Sequence, residues 1–584
     1  MGKGKAIIAG SSLILVVVVV VGLVVGINRA SRSSNNEGSI DVNLLTRVKS
    51  VKIVCEATSY KDVCMHTFRE VSQNETVYPK DFIKIAVSAT LDAVRTAMDK
   101  SSVLEKDNKI NTFEKKGSFK ICKELIQTSI DELQESISVV DENDLKTIVN
   151  DRVPDLANWL SAVVFYHETC RDTIGNPELK STMTNVLHNS TQLTSNALAI
   201  IVKFSQILAA LNIPLDIVIP KSRRLLEAEE ATQVDSQGYP TWLKAPDRKL
   251  LAAKGPPTHN AVVAKDGSGQ FRTITAALAA RPKHNKDRYV IYVKAGIYDE
   301  HIIVHQVNVF MYGDGPKKTI VTGNNSVMSL SNTKVKTGID TQDTASFSAI
   351  GTGFIAKSMG FRNTAGSIGE QAVALRVRSD KSAFFNCRIE GYQDTLYAET
   401  HRQFYRNCYI YGTVDFIFGD SATLIQNSQI IVRKPSVGNK NIVTAQGRTD
   451  RNEPRGVVIQ NCSIVPDKKL RPSKFTYLTY LGRPWKDFST TVIMESSLDD
   501  FIQKEGWLDW NGNTTRQNTV YYAEYANSGG GAKTDGRVRW KGFHLIDKRE
   551  AAQWTAQHFL TNGSSKAYHW LKNTGVPFNI GFTR

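Results

Sequence analysis

Phe385-Asn386-Cys387-Arg388-Ile389, Tyr405-Arg406-Asn407-Cys408-Tyr409-Ile410, Ile425-Gln426-Asn427-Ser428-Gln429-Ile430 and Ile459-Gln460-Asn461-Cys462-Ser463-Ile464 repeat one frame of apolar residue, asparagine, small residue and isoleucine. Phe361-Arg362-Asn363 reads as an earlier copy, which places the asparagines at 363, 386, 407, 427 and 461, in steps of 23, 21, 20 and 34. A period near 20 residues with one or more short strands per unit marks a solenoid whose coils stack like on like, here a parallel β-helix. The step of 34 is a coil carrying an outward loop. A two-sheet sandwich has no reason to keep such a phase. Strand-like runs at Tyr289-Val290-Ile291-Tyr292-Val293 and His301-Ile302-Ile303-Val304, bounded by Gly and Asp turns, extend this character back to about residue 260.

The repeat also sets a register for chemistry. Eight residues after the asparagines at 363, 386 and 407 stand Gln371, Asp394 and Asp415. In successive coils these lie about 4.8 Å apart, as a row of one amide and two carboxylates. Carboxylates so close do not both ionise readily, so one pKa rises and the pair titrates jointly, which suits an acid and a base. Asp415 is the only polar side chain in Val414-Asp415-Phe416-Ile417-Phe418, and a charge in such company needs a partner or a purpose. Two acids about 5 Å apart also suit a retaining glycosidase. A calcium-dependent lyase needs a denser acidic cluster than is present. Gly351-Thr352-Gly353-Phe354-Ile355-Ala356 lacks the helix of a dinucleotide site, His301 and His305 lack a third zinc ligand, and no G-x-S-x-G elbow occurs. No metal or cofactor is expected.

Upstream the period changes to that of helices. Ile83, Val87, Leu91, Val94 and Met98 form one stripe, and Ile126, Ile130, Leu133, Ile137 and Val140 a second. Leu156, Leu160, Val163 and His167 form a third, and Ala197, Ile200, Phe204 and Leu208 a fourth, which predicts a four-helix bundle over 44–211. Its cysteines permit three pairings; the short spacing lets Cys55 and Cys64 pin a hairpin and leaves Cys122 and Cys170 to tie two long helices. Residues 212–257 hold Pro214, Pro220, Pro240, Pro246, Pro256 and Pro257, and read as a linker. Within it Arg223-Arg224-Leu225-Leu226 and Arg248-Lys249-Leu250-Leu251 look like processing sites.

At the amino terminus, residues 6–27 carry no charge and span about 33 Å as a helix, enough for an uncleaved signal anchor within 1–30. Sequons at Asn74, Asn189, Asn324, Asn461, Asn513 and Asn562, together with the cysteines, suit an oxidising secretory lumen. The 73 Lys and Arg against 57 Asp and Glu leave a net charge of +16, and residues 251–584 hold all of that excess, with 43 basic and 27 acidic residues. Such asymmetry points to a polyanionic partner of the second half.

Several blocks resemble the signatures of plant pectin methylesterases: Gly391-Tyr392-Gln393-Asp394-Thr395-Leu396-Tyr397, Gly412-Thr413-Val414-Asp415-Phe416-Ile417-Phe418-Gly419, Gln371-Ala372-Val373-Ala374-Leu375-Arg376 and Leu481-Gly482-Arg483-Pro484-Trp485. Val443-Thr444-Ala445-Gln446-Gly447-Arg448 and Lys265-Asp266-Gly267-Ser268-Gly269 fit as well, so that the resemblance covers nearly all of 258–584. The helical half is similar to the inhibitor domain that precedes the enzyme in longer members. The resemblance implies a right-handed parallel β-helix that hydrolyses methyl esters of pectin to polygalacturonate and methanol. Asp415 would be the nucleophile, Asp394 the proton donor and then base, and Gln371 and Gln393 the oxyanion donors. Arg483 would hold Asp415, Trp485 would face a sugar ring, and Thr341 would take the place of a substrate-binding threonine. It further implies an acidic polysaccharide rather than nucleic acid as partner, a subtilisin-like protease cutting the linker, and a membrane-anchored precursor whose mature form acts in the cell wall. Ser428 stands where many relatives have a cysteine bridged to the equivalent of Cys408, so Cys387, Cys408 and Cys462 are expected as buried small residues.

Overall fold

The computed structural model describes residues 47–69, 78–105, 113–213, 258–285, 287–331, 341–560 and 569–583. The expected anchor at 6–27, the linker residues Arg223, Arg224, Arg248 and Lys249, and the sequons at Asn74 and Asn562 lie outside the described residues. Among the described residues no single helix is long and apolar enough to cross a membrane.

The amino-terminal half is helical: α1 (Arg47–Glu56), α2 (Lys61–Thr67), α3 (Pro79–Glu105), α4 (Phe113–Glu142), α5 (Val153–Thr173), α6 (Pro177–Val202) and α7 (Phe204–Ala210). Ile83, Val87, Leu91 and Val94 of α3 and Ile126, Ile130, Leu133 and Val140 of α4 are buried, as their spacing requires. Disulfides join Cys55 to Cys64, closing α1 on α2, and Cys122 to Cys170, tying α4 to α5. The fourth apolar stripe does not run along one helix. The chain bends by 69° between α6 and α7, at Lys203, whose ammonium reaches back to the Ala57 carbonyl at 2.7 Å. Helix α5 buries 16 of its 21 residues, polar Asp155, Asn158 and Ser161 among them, because it has packing partners on all sides.

The carboxy-terminal half is a parallel β-helix of three sheets with 11, 7 and 8 strands, each strand paired in parallel with its counterpart in the next coil. The coil interior is a ladder of like residues, Phe361, Ile389, Ile410, Ile430, Ile464 and Leu498, in direct register and fully buried. The repeat asparagines serve the backbone. Asn386, Asn407, Asn427 and Asn461 adopt φ of 53°, 52°, 48° and 50°, the left-handed corner that asparagine tolerates better than other side chains. Their amides link coil to coil, Asn461 Nδ2 donating to Asn427 Oδ1 at 2.9 Å and Asn386 Nδ2 to Ser358 Oγ at 2.9 Å.

That ladder corrects the assignment of Asn363. Phe361 aligns with Ile389, so the corner before Asn386 is Ser358 (φ 55°), and Glu495 (φ 53°) continues the series. Asn363 is instead a buried plug whose amide donates to the carbonyls of Asn325, Thr344 and Val373. Cys387, Cys408 and Cys462 are free and buried. Ser428 accepts from the Cys408 amide at 3.0 Å and donates to the Gln426 carbonyl at 2.9 Å, so hydrogen bonds occupy the place of a bridge. Of the described sequons, Asn189 and Asn324 are exposed, Asn513 accepts from the Thr515 amide, and Asn461 spends its amide on Asn427. Because the corner conformation is the constraint, Asn427→Ala should destabilise the β-helix by about 1–2 kcal/mol in denaturant unfolding and Asn427→Gly by less. Equal losses would place the effect in the side-chain bond instead.

Candidate active site

A cavity of about 260 Å³ opens on the seven-stranded sheet, and Thr341, Gln371, Gln393, Asp394, Asp415, Arg483 and Trp485 all line it. Residues from widely separated blocks of sequence therefore meet in one place. Asp394 and Asp415 precede strands Leu396–Ala398 and Ile417–Gly419, which pair Leu396 with Ile417, so the two aspartates fall in the same register. Both sit at left-handed backbone, φ 59° and 49°, a strained conformation that recurs at functional sites. Gly412 makes room for this turn; a Cβ there would lie 2.1 Å from that of Phe416.

Gln371 does not stand in the aspartate row. It bridges to Gln393, one residue earlier, so the two amides face each other and the two carboxylates face each other. Counted from the true corners Ser358 and Asn386, Gln371 comes 13 residues on and Gln393 7, so the first coil carries six extra residues before the site and shares no fixed offset with the next. Gln371 Oε1 is buried without a hydrogen-bond partner.

One cation serves both acids. Arg483 donates from Nε to Asp415 Oδ1 at 2.8 Å and from Nη2 to Oδ2 at 2.6 Å, a bidentate fork. Its guanidinium also lies 4.3 Å from the Trp510 ring centre. Burial leaves the Asp415 carboxyl raised above the usual carboxylate range, though the Arg483 hydrogen bonds and charge oppose it. Burial, and next the Asp415 charge, push the Asp394 carboxyl well above the usual carboxylate range, with Arg483 opposing only in part. The shared proton therefore belongs on Asp394. Arg483 and Trp485 follow strand Thr479–Gly482, which pairs with Asn441–Gln446, itself paired with the strand after Asp415. Trp485 lies against Gly447, where a Cβ would come within 2.7 Å of the indole. An aromatic wall completes the site: Tyr397 and Phe418 stack at 4.3 Å, and Trp485 meets Phe418 edge-on at 6.2 Å. Sequence reasoning missed Tyr397, Phe418 and Trp510; the first two fall inside the quoted blocks and alternate with buried neighbours. Among the described residues no group of three or more His, Cys, Asp or Glu is placed to hold a metal ion.

The helical half reaches this cavity. Thr169, Asp172 and Thr173, at the end of α5, line it opposite the aspartates. Around them α5 is clasped to the β-helix. Asp155 accepts from Arg402 at 2.7 Å, Asn158 Nδ2 lies 3.0 Å from His401 Nδ1, and the Tyr166 hydroxyl and Glu132 lie 3.2 and 3.1 Å from His401 Nε2. Arg455 donates to the Asn158 carbonyl at 2.9 Å, and Arg378 lies over the Tyr166 ring at 5.3 Å. Lys486 donates to Glu168 at 2.7 Å and to Asp172 at 2.6 Å. Nothing in the α5 stripe announced these contacts, because they depend on which face meets the other half.

Residues 260–564 match the Pectinesterase family and residues 49–200 the plant invertase/pectin methylesterase inhibitor family. "Putative pectinesterase/pectinesterase inhibitor 45" of Arabidopsis thaliana is 42% identical over 541 residues, covering 91% of this chain and 84% of that protein. "Probable pectinesterase/pectinesterase inhibitor 58" of the same plant is 40% identical over 586 residues, 99% of this chain and 98% of that one. Among solved structures, pectin methylesterase from carrot superposes with a TM-score of 0.53 at 46% identity, covering 56% of this chain and 99% of that one. The chain thus belongs to the pectinesterase family, as a carboxylic ester hydrolase that de-esterifies pectin and carries an inhibitor-like helical domain ahead of the enzyme.

Proposed function

We propose that Asp415 is the nucleophile of the de-esterification and Asp394 its proton shuttle. The Asp415 carboxylate attacks the C6 carbonyl of a methylated galacturonate and forms an acyl-enzyme. The Gln371 and Gln393 amides donate to the oxyanion, and protonated Asp394 gives its proton to the departing methoxide, releasing methanol. Asp394, now a carboxylate, takes a proton from water as that water attacks the acyl carbonyl, which frees Asp415 and leaves a free carboxylate on the polymer. Trp485, with Phe418 and Tyr397 behind it, offers an apolar face to the sugar rings, and Thr341 borders the substrate. The observation that carries this reading is the asymmetry of the two buried acids: only Asp415 holds the Arg483 fork.

The same reading extends to the whole chain, divided as anchor 1–30, inhibitor-like bundle 44–211, linker 212–257 and enzyme 258–584. The bundle holds the enzyme closed through the α5 residues that line the cavity, and cutting after Leu226 or Leu251 by a subtilisin-like protease releases it. The precursor travels the secretory pathway on its anchor, and the mature enzyme acts in the cell wall.

Asp415→Asn should reduce methanol release at least about a thousandfold with unchanged circular dichroism; a folded mutant that keeps its turnover removes Asp415 from the nucleophile role. Asp394→Asn should lose activity yet gain stability. A carboxyl whose folded pKa is raised contributes stability at low pH that is lost as pH rises from the unfolded value, near 3.9, toward the folded one. The neutral amide escapes that loss, so its melting temperature should equal wild type near pH 3 and exceed it increasingly toward pH 7. Replacing Arg223, Arg224, Arg248 and Lys249 by alanine should leave an uncut chain that releases methanol slowly. Full activity of that uncut chain would show that the bundle does not close the site.

A further inference from the structure

Lys486 differs from the arginines of the interface between the two halves, and from Lys381, whose ion pair is also with the helical half, at Asp155, but whose side chain is 32% exposed. Arg378, Arg402 and Arg455 each also pair with a carboxylate of the β-helix, namely Glu399, Asp380 and Asp420. Among the described residues Lys486 has its carboxylate partners in the other half only, Glu168 and Asp172 of α5. With α5 in place its side chain is 14% exposed, so the ammonium is held by these carboxylates and not by water. Within the β-helix the charged neighbour that acts on it is a second cation, Arg516, whose guanidinium is occupied by Asp487 and by the Pro484 and Trp485 carbonyls. Lys486 also follows Trp485 directly, and its ammonium lies 5.7 Å from that ring, while Asp172 lines the cavity that holds Asp415. When α5 leaves, the ammonium beside the sugar-facing tryptophan loses both of its carboxylate partners. The place already accepts two carboxylates in hydrogen-bonding geometry, so a carboxylate of the bound polymer fits it by charge and shape.

We propose that Lys486 reads a free galacturonate carboxylate of the pectin chain next to the ester being cleaved, and that Glu168 and Asp172 occupy this subsite as carboxylate mimics in the uncut protein. The proposal rests on the reading of the cavity as the pectin site. Its consequence is a preference for esters beside residues that have already lost their methyl groups, since each turnover creates the carboxylate that the next binding event uses.

The test uses the full chain carrying Glu168→Gln and Asp172→Asn, which uncovers the ammonium, with Lys486, Lys486→Arg or Lys486→Met. Binding of fully de-esterified hexagalacturonate is measured by calorimetry at low and moderate salt. The uncovered chain should bind more tightly than wild type; Lys486→Met should weaken binding about tenfold and flatten its salt dependence, and Lys486→Arg should stay within about twofold. An uncovered chain that binds no better than wild type, or a Met variant that binds as well as the Lys parent, overturns the proposal. Binding needs no turnover, so failure of the esterase assignment appears separately, as absence of methanol release from methylated polymer by the same Lys486 proteins.

Discussion

Everything at the site depends on coil stacking upon coil with no slip. Parallel strands in neighbouring coils lie about 4.8 Å apart, and a one-residue change of register turns every side chain to the opposite face. The left-handed corners at Asn386, Asn407, Asn427 and Asn461 suppress such slippage, because each needs a residue that accepts positive φ and the Asn386 and Asn461 amides find a neighbour along the stack. The buried ladder from Phe361 to Leu498 then fills the space inside, and the registers of the three sheets follow together. Asp394 and Asp415 lie side by side because Leu396 and Ile417 do.

Proximity alone gives two acids in conflict; chemistry needs them made different. One guanidinium bound to one of them is sufficient. Arg483 is delivered from two coils further on, through the strand Asn441–Gln446, and its fork accommodates a single carboxylate. Burial acts on both acids in the same direction, so the difference between them comes from hydrogen bonding and charge. Trp510 under the guanidinium holds its plane. A lysine here would keep the charge and lose the bidentate geometry that singles out Asp415.

What could be read from the sequence was whatever repeats locally. The helical stripes of α3 and α4, the coil period and the aspartate pair all rest on spacing within a few tens of residues. The phase of the first coil was misread because its corner is Ser358, which lacks the asparagine signature, while Asn363 imitates it from a buried plug position. That error put Gln371 in the row of Asp394, where its partner is in fact Gln393. The bend at Lys203 was invisible for another reason: apolar residues keep a helical spacing across it, and the interaction that turns the chain is with Ala57, far upstream. Contacts of α5 with the β-helix have no periodic signature, since Asp155, Asn158 and Tyr166 are buried by partners more than 200 residues away.

The ion pairs between the halves differ in how far they depend on each other's side. A buried charge that loses its partner is strongly unfavourable, so an interface of ordinary buried ion pairs would either never open or leave a damaged surface behind. Here Arg402 holds Asp380 through two hydrogen bonds in addition to Asp155, and Arg376 and Arg378 share Glu399. Withdrawal of α5 leaves these arginines still paired within the β-helix. For these arginines α5 adds further bonds to pairs already complete within the β-helix. Charge on the α5 side is treated differently: Asp155, Glu168 and Asp172 all face cations of the other half, so the acidic face of the helix would be what the proposed release exposes to water, where carboxylates are well solvated. On the proposed release of the bundle the arginines would keep partners within the β-helix, whereas Lys381 and Lys486 would lose the carboxylates they pair with.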